Sequence, residues 1–293
     1  MNISSGSEIV EACEAMGITI GEYAIRQESE ETGISREDIW SRMKEALMVM
    51  EASTSKGVSE KVISVSGLIG GDAYRMGKYL NERRSVGGSV TTRAMAYALA
   101  CSEVNASMGK IVACPTAGAC GILPAAVMTM KDEHGIGEED IILGLFAAGA
   151  VGAVIAQNAT ISGAEGGCQA ECGSAAAMAA CAIVQMMGGS PRMCLDAGAI
   201  VFKNTLGLVC DPIAGLVEVP CAKRNAQGVL SAIGAADMVL AGVQSRIPFD
   251  DTVEAMYSIG RSMPESLRET GIGGLAGTKT GKLLANRIFG EME

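Results

Sequence analysis

IILGLFAAGAVGAVIA, residues 141–156, is the most apolar stretch of the chain, and its reading decides the fold class. Sixteen residues of mostly small side chains fall short of the ~20 that span a bilayer, so the segment reads as a buried core helix and no membrane partner is expected. Helical patterns recur on both sides of it. Toward the N-terminus they cover 7–26, 35–56 and 89–108, with a glycine-broken segment at 64–80. Toward the C-terminus, after the core helix at 138–158, they cover 173–188, 193–206, 223–245, 250–262 and 281–291. In 35–56, Ser35 is placed to cap with Asp38 three residues on, and Ile39, Met43, Ala46, Leu47 and Met50 trace one face. Strand alternation and fixed-period repeats are missing. The expectation is an all-α fold in one continuous catalytic domain over 1–293, with 1–60 as a helical subdomain.

Composition supports close helix packing. The 293 residues include 18 Met but only 4 Phe, 5 Tyr and 1 Trp, and small or flexible side chains let helices approach. The 38 glycines lie mostly outside the longest helical runs and imply tight turns. The formal net charge is -10 and no Lys/Arg run exceeds two residues, which argues against a nucleic-acid partner. The first residues, MNISSGSEIVEACEAMG, lack the basic and apolar regions of a secretion signal, so a cytoplasmic location is expected.

Ten cysteines in a reducing compartment call for burial, metal binding or catalysis. Burial suits Cys13, Cys101, Cys181 and Cys194, which sit among Ala, Met and Leu. The others fall in or beside glycine-rich, apolar loops: CPTAGACGILP (114–124), SGAEGGCQAECG (162–173) and GLVCDPIAGLVEVPC (207–221). A fourth such loop, ETGIGGLAGTKTG (269–281), carries none. Loops of this kind read as folded around a ligand, with helix N-termini following at least two of them. Cys168 follows Gly-Gly, Cys210 precedes Asp-Pro and Cys221 follows Pro220; Cys172 is a fourth contender, and Cys114 and Cys120 a further pair. A C-x2-C spacing is missing, and residue types alone leave an iron–sulfur cluster and a zinc ion both open.

The segments PTAGACGILPA, SGAEGGCQAECG, CDPIAGLVEVPC with the following KRNA, and RETGIGGLAGTKTG resemble, in order and over nearly the whole chain, the signature segments of the iron–sulfur-dependent L-serine dehydratases. The chain corresponds to their alpha subunit. The resemblance implies a [4Fe–4S] cluster on Cys168, Cys210 and Cys221, with Cys172 structural. It implies that one iron, free of protein ligands, acts as a Lewis acid on the β-hydroxyl of L-serine, so that pyruvate and ammonia result. That places the activity in amino-acid degradation and gluconeogenesis. Two departures stand out. The sequence ends NRIFGEME, without the terminal cysteine that caps the cluster in some single-chain members, and the Ser- and His-bearing beta region is missing. A beta subunit is therefore an expected partner, within an oligomer.

Loop chemistry offers Thr116, Gly118, Ala119, Ser162 and Gly163 as donors to the substrate carboxylate, although the same residues also suit turns. No catalytic base is assigned. His134, the single histidine, sits in the polar KDEHGIGEED and reads as a surface residue. Glu165 and Glu171 flank Cys168 and suit either acid–base work or loop solvation, and the base is equally open to supply by the beta subunit. Lys203 would carry a Schiff base if the enzyme used PLP, although an ordinary snorkelling lysine is commoner. The same scaffold acting on L-threonine or L-cysteine, and a non-catalytic metal or redox sensor, are the alternatives.

Overall fold

A computed structural model describes residues 4–82 and 85–290. Among them the architecture is all-α, in one domain, with isolated bridges (Ile63 with Gly70, Cys210 with Arg268) in place of strands. The N-terminal layer is α1 (Gly6–Met16), α2 (Ile20–Thr32) and α3 (Arg36–Ser59). Then come α4 (Asp72–Glu82), α5 (Gly88–Ala106), α6 (Ile122–His134) and α7 (Glu138–Asn158). A single turn, α8 (Gly163–Gly166), leads into α9 (Cys168–Met186), followed by α10 (Pro191–Thr205) and α11 (Cys221–Leu240). The chain closes with α12 (Phe249–Ser262) and α13 (Lys279–Phe289).

The axis of the molecule is α9. Every residue in it except Gln185 is buried, and it touches α6, α7, α8, α10, α11 and α12. Its sequence explains this, because CQAECGSAAAMAACAIVQM presents a small side chain on every face and neighbours can close in all round. The 21-residue α7 is long and apolar enough to cross a membrane, yet 61% of its most apolar window is buried, mainly against α9 and α2.

Several sequence boundaries shift. The single helix expected at 7–26 is two, because Gly17 at φ 64° ends α1 and the Thr19 hydroxyl accepts from Glu22 N to start α2. The stretch 64–80 contains α4, whose sequence is interrupted only by Gly77. No helix is expected at 122–134 from periodicity, since Ile122–Met130 is buried on all sides and shows no polar face; Pro124 is tolerated there in the first turn. Helix α9 begins at Cys168 and α11 at Cys221, so both cysteines open helices and do not sit in loops. Residue 291, the end of the last expected helix, lies outside the described residues.

Glycine permits the closest crossings. A Cβ on Gly57 of α3 would lie 2.5 Å from both Cα and Cβ of Ala100 in α5. Gly57→Ala is therefore expected to destabilise by about 1–3 kcal/mol through overpacking, outweighing the ~1 kcal/mol that alanine gains in a helix. Gly234→Ala, exposed in α11 with no atom within 4 Å, should stabilise by roughly that propensity difference. Thermal melts followed by far-ultraviolet circular dichroism should move in opposite directions for the two variants.

Candidate metal and catalytic site

Three segments converge at the N-terminal end of α9. The helix itself supplies Cys168, Glu171 and Cys172, exposed by only 2%, 8% and 4%. Ligand atoms of these three lie within 4.8 Å of one another. The 207–221 segment supplies buried Cys210 and, at the start of α11, buried Cys221. The loop after Glu265–Leu267 supplies Glu269, whose N–H donates to Cys210 O at 2.7 Å while Cys210 N–H donates to Leu267 O at 2.9 Å.

Gly163 marks where they meet. A Cβ there would stand 3.0 Å from Cys210 Sγ, 3.2 Å from Glu269 Oε2 and 3.3 Å from Glu171 Oε2. Gly118 approaches from the opposite loop, where a Cβ would fall 2.4 Å from Glu171 Oε1, the oxygen that accepts from Thr116 Oγ1 at 2.5 Å. Both glycines are thus required by close approach of carboxylates and a thiol. Ala119 N–H donates to Thr116 Oγ1 at 3.3 Å. Ser162 begins α8, its carbonyl accepting from Glu165 and Gly166 N–H. Of the proposed substrate donors, Thr116, Gly118 and Gly163 touch or closely approach the Glu171 carboxylate.

The electrostatics favour one thiolate in particular. The Cys168 thiol is held below its ordinary value, first by the hydrogen bond with Cys172 and then, against desolvation, by the Arg224 guanidinium. Its partner Cys172 is pushed well above. Burial raises Cys221 to about 12 and Cys210 further, each also feeling Cys168. Desolvation raises the Glu171 carboxyl, against the hydrogen bond from Thr116, and Glu269 adds to the rise by like charge. Arg224 lies 2.8 Å from Asp211 Oδ1, in a close ion pair whose angle falls short of an aligned hydrogen bond, and also donates to Val209 O at 3.0 Å.

Several supporting residues carried no role in the sequence. Asn225, 1% exposed, accepts from Gly121 N–H and donates to both Gly118 O and Cys221 O, tying the 118–121 loop to the first turn of α11. It stands in the KRNA run that follows Cys221, which was the available signal. Glu269 has φ 64°, a left-handed backbone uncommon for a residue with a side chain. Asp211 Oδ2 accepts from Leu275 N–H at 2.7 Å, fastening the 269–281 loop to the cysteine segment.

Other candidates fall elsewhere. Glu165 is exposed and accepts from Thr160 Oγ1, and His134 is exposed at the end of α6. Lys203 is exposed, its Nζ donating to Ser245 Oγ and Ile247 O. Cys114 and Cys120 are buried, with their thiols near the carbonyls of Val112 and Cys101. Cys13, Cys101, Cys181 and Cys194 lie buried in the core.

The donor set fits a thiophilic metal group. Four buried thiols, two carboxylates and a neighbouring guanidinium suit iron–sulfur or zinc chemistry, and the space kept clear by Gly163 lies beside Cys210 Sγ. An all-α scaffold with cysteines at helix N-termini beside the buried Glu171 and half-buried Glu269 fits a thiolate-metal class of site. The comparisons with known proteins give the particular family. Residues 15–276 match the family described as serine dehydratase alpha chain, and the chain belongs to it. It is 52% identical to the probable L-serine dehydratase, alpha chain, of Bacillus subtilis (strain 168), over 97% of this chain and 94% of that one. It is 46% identical to the L-serine dehydratase, alpha chain, of Peptoniphilus asaccharolyticus over 99% of both. Identity to the L-serine dehydratase of Streptomyces coelicolor is 35%, over 93% of this chain but 60% of that protein.

Proposed function

We propose that the chain removes water from L-serine, yielding pyruvate and ammonia, as the alpha part of a two-part lyase with an iron–sulfur cluster on Cys168, Cys210 and Cys221. The observation that carries the reading is the meeting of Cys210 with the Glu171 and Glu269 carboxylates at Gly163. When bound, a cluster on three thiolates supplies a Lewis acid for expelling a poor leaving group such as hydroxide.

The chain's residues would then do the rest. Dehydration breaks the Cα–H and Cβ–O bonds; the proton leaves to a base, and the hydroxyl leaves as water. The aminoacrylate so formed tautomerises to an imine, and water converts it to pyruvate and ammonia. Glu171, whose carboxyl burial raises, is suited to exchange a proton, and Thr116 Oγ1 fixes its orientation. Glu269 Oε2 lies beside the same point, so the two carboxylates offer an acid and a base of different environment. Arg224 offsets the negative charge of the thiolates. The 118–121 loop, braced by Asn225, and the turn at 162–163 are the two walls against which the substrate carboxylate would rest. The part of the Streptomyces protein that this chain does not cover supports a second component, a beta subunit, and cytoplasmic activity within an oligomer completes the reading.

The deciding test is anaerobic reconstitution with iron and sulfide, addition of the beta partner, and assay of pyruvate from L-serine. Visible cluster absorption with pyruvate formation supports the reading; iron uptake without pyruvate, with the partner present, overturns the enzymatic part. Lys203→Ala is expected to leave turnover within about twofold, because surface substitutions away from a site rarely matter. Loss of activity in that variant, with activity dependent on added PLP, would point to Schiff-base chemistry. Air exposure should abolish turnover, since an iron held by no thiolate is readily lost.

A further inference from the structure

Cys172 has no place in a three-thiol cluster, yet its thiol lies within 4.8 Å of that of Cys168. We propose that Cys168, Cys172 and Glu171 form a second, mononuclear site that takes one borderline divalent cation, ferrous or zinc, in the cluster-free protein. The three ligand atoms lie within 4.8 Å of one another, and among the described residues no other group of three such side chains meets that spacing. Two thiolates at about 2.3 Å from a tetrahedral ion stand roughly 3.8 Å apart, so the trio is close to the size a single ion needs. Cys210 and Cys221 are not members of the group.

Local structure makes the trio rigid. Positions 168 and 172 are one turn apart on α9, so both thiols face the same way, and position 171 is adjacent. The Cys168 and Cys172 thiols lie within 4.8 Å of each other, and Thr116 holds Glu171. Charge favours a dication here. Two thiolates and a carboxylate outweigh it by one negative charge, and Arg224, itself ion-paired with Asp211, adds a positive charge beside Cys168. Each thiol that ligates releases its proton to solvent, so uptake acidifies an unbuffered solution.

The site has its own approach. A cavity of about 410 Å³ is lined by Cys172, Arg224, Gln227 and Ser231 among others, and Asn204 and Gln227 expose its rim. Ser231 Oγ is buried there without a hydrogen-bond partner. Of the trio Cys172 alone lines this cavity, and Cys210 does not line it. Because Cys168 would serve both sites, the single ion and the cluster exclude one another.

The probe is Co²⁺ added anaerobically to the cluster-free full-length protein, read by thiolate-to-cobalt charge transfer in the near ultraviolet. Wild-type protein is expected to take up one equivalent. Cys172→Ala and Cys168→Ala should each lose about half the band, one of two Co–S bonds being gone, and Glu171→Gln should weaken binding at least tenfold with the band retained. Cys210→Ala and Cys221→Ala should bind as wild type does. Added Zn²⁺ should displace the cobalt and slow later cluster reconstitution. No uptake, an unchanged band in Cys172→Ala, or equal loss in Cys221→Ala overturns the site. Helicity by circular dichroism separates a lost ligand from a lost fold, and Cys181→Ala, also in α9, controls for removing a buried thiol. Cluster reconstitution keeps the two ideas apart: a normal cluster in Cys172→Ala together with its halved cobalt band supports both, whereas wild-type protein that gives the cobalt band but forms no cluster sinks the dehydratase reading alone.

Discussion

Cys210→Ala should lower pyruvate formation by about a thousandfold or more and abolish cluster absorption after anaerobic reconstitution. The thiol sits beside Gly163, at the point that the Glu171 and Glu269 carboxylates also approach. Lewis-acid assistance to a leaving hydroxyl is worth several kcal/mol, and each 1.36 kcal/mol is tenfold in rate, so losing the group that supplies it removes most of the turnover. Alanine is smaller than cysteine and the position is 3% exposed, so the fold should tolerate the change at a cost of about 1–2 kcal/mol. Retained absorption and activity in a folded Cys210→Ala protein would rule out this thiol as a ligand.

Asp211→Ala should unfold the protein more readily than any other single change considered, by about 3–5 kcal/mol. The carboxylate is 3% exposed and does two things at once: Oδ1 faces Arg224 and Oδ2 accepts the Leu275 amide. Its removal leaves a largely buried guanidinium with only the Val209 carbonyl and releases the 269–281 loop from the cysteine segment. At roughly 2–4 °C per kcal/mol for a chain of this size, the melting temperature should drop by about 10 °C. Asp211→Asn keeps the acceptor for Leu275 and loses only the charge, so an intermediate drop is expected. Equal drops for the two variants would assign the whole effect to charge and none to the loop bond.

The parts of the fold that announced themselves were those whose pattern is local. The core helix around 141–156 is apolar along its length, and Ser35 caps α3 as its position suggests, accepting from Asp38 N. Helix α6 was hidden because burial on every face erases the periodicity that marks an amphipathic helix. The N-termini of α9 and α11 were hidden by glycine and proline, which look like loop chemistry while in fact serving as the residues just before a helix. The cysteines of the site were legible through the motifs that hold them. Arg224, Asn225, Asp211 and Glu269 were not, since what they do depends on partners that sequence separation conceals: Asn225 bonds to residue 118, and Asp211 to residue 275.

The backbone at Glu269 has a bearing on engineering. Holding a side-chain-bearing residue at φ 64° costs on the order of 1 kcal/mol, and glycine would remove that cost. A campaign that selects for heat resistance alone would thus accept Glu269→Gly, and the gain would arrive together with the loss of the carboxylate next to Cys210. Position 269 should be held fixed in any such library, and a hardened variant that has lost turnover should be sequenced there first.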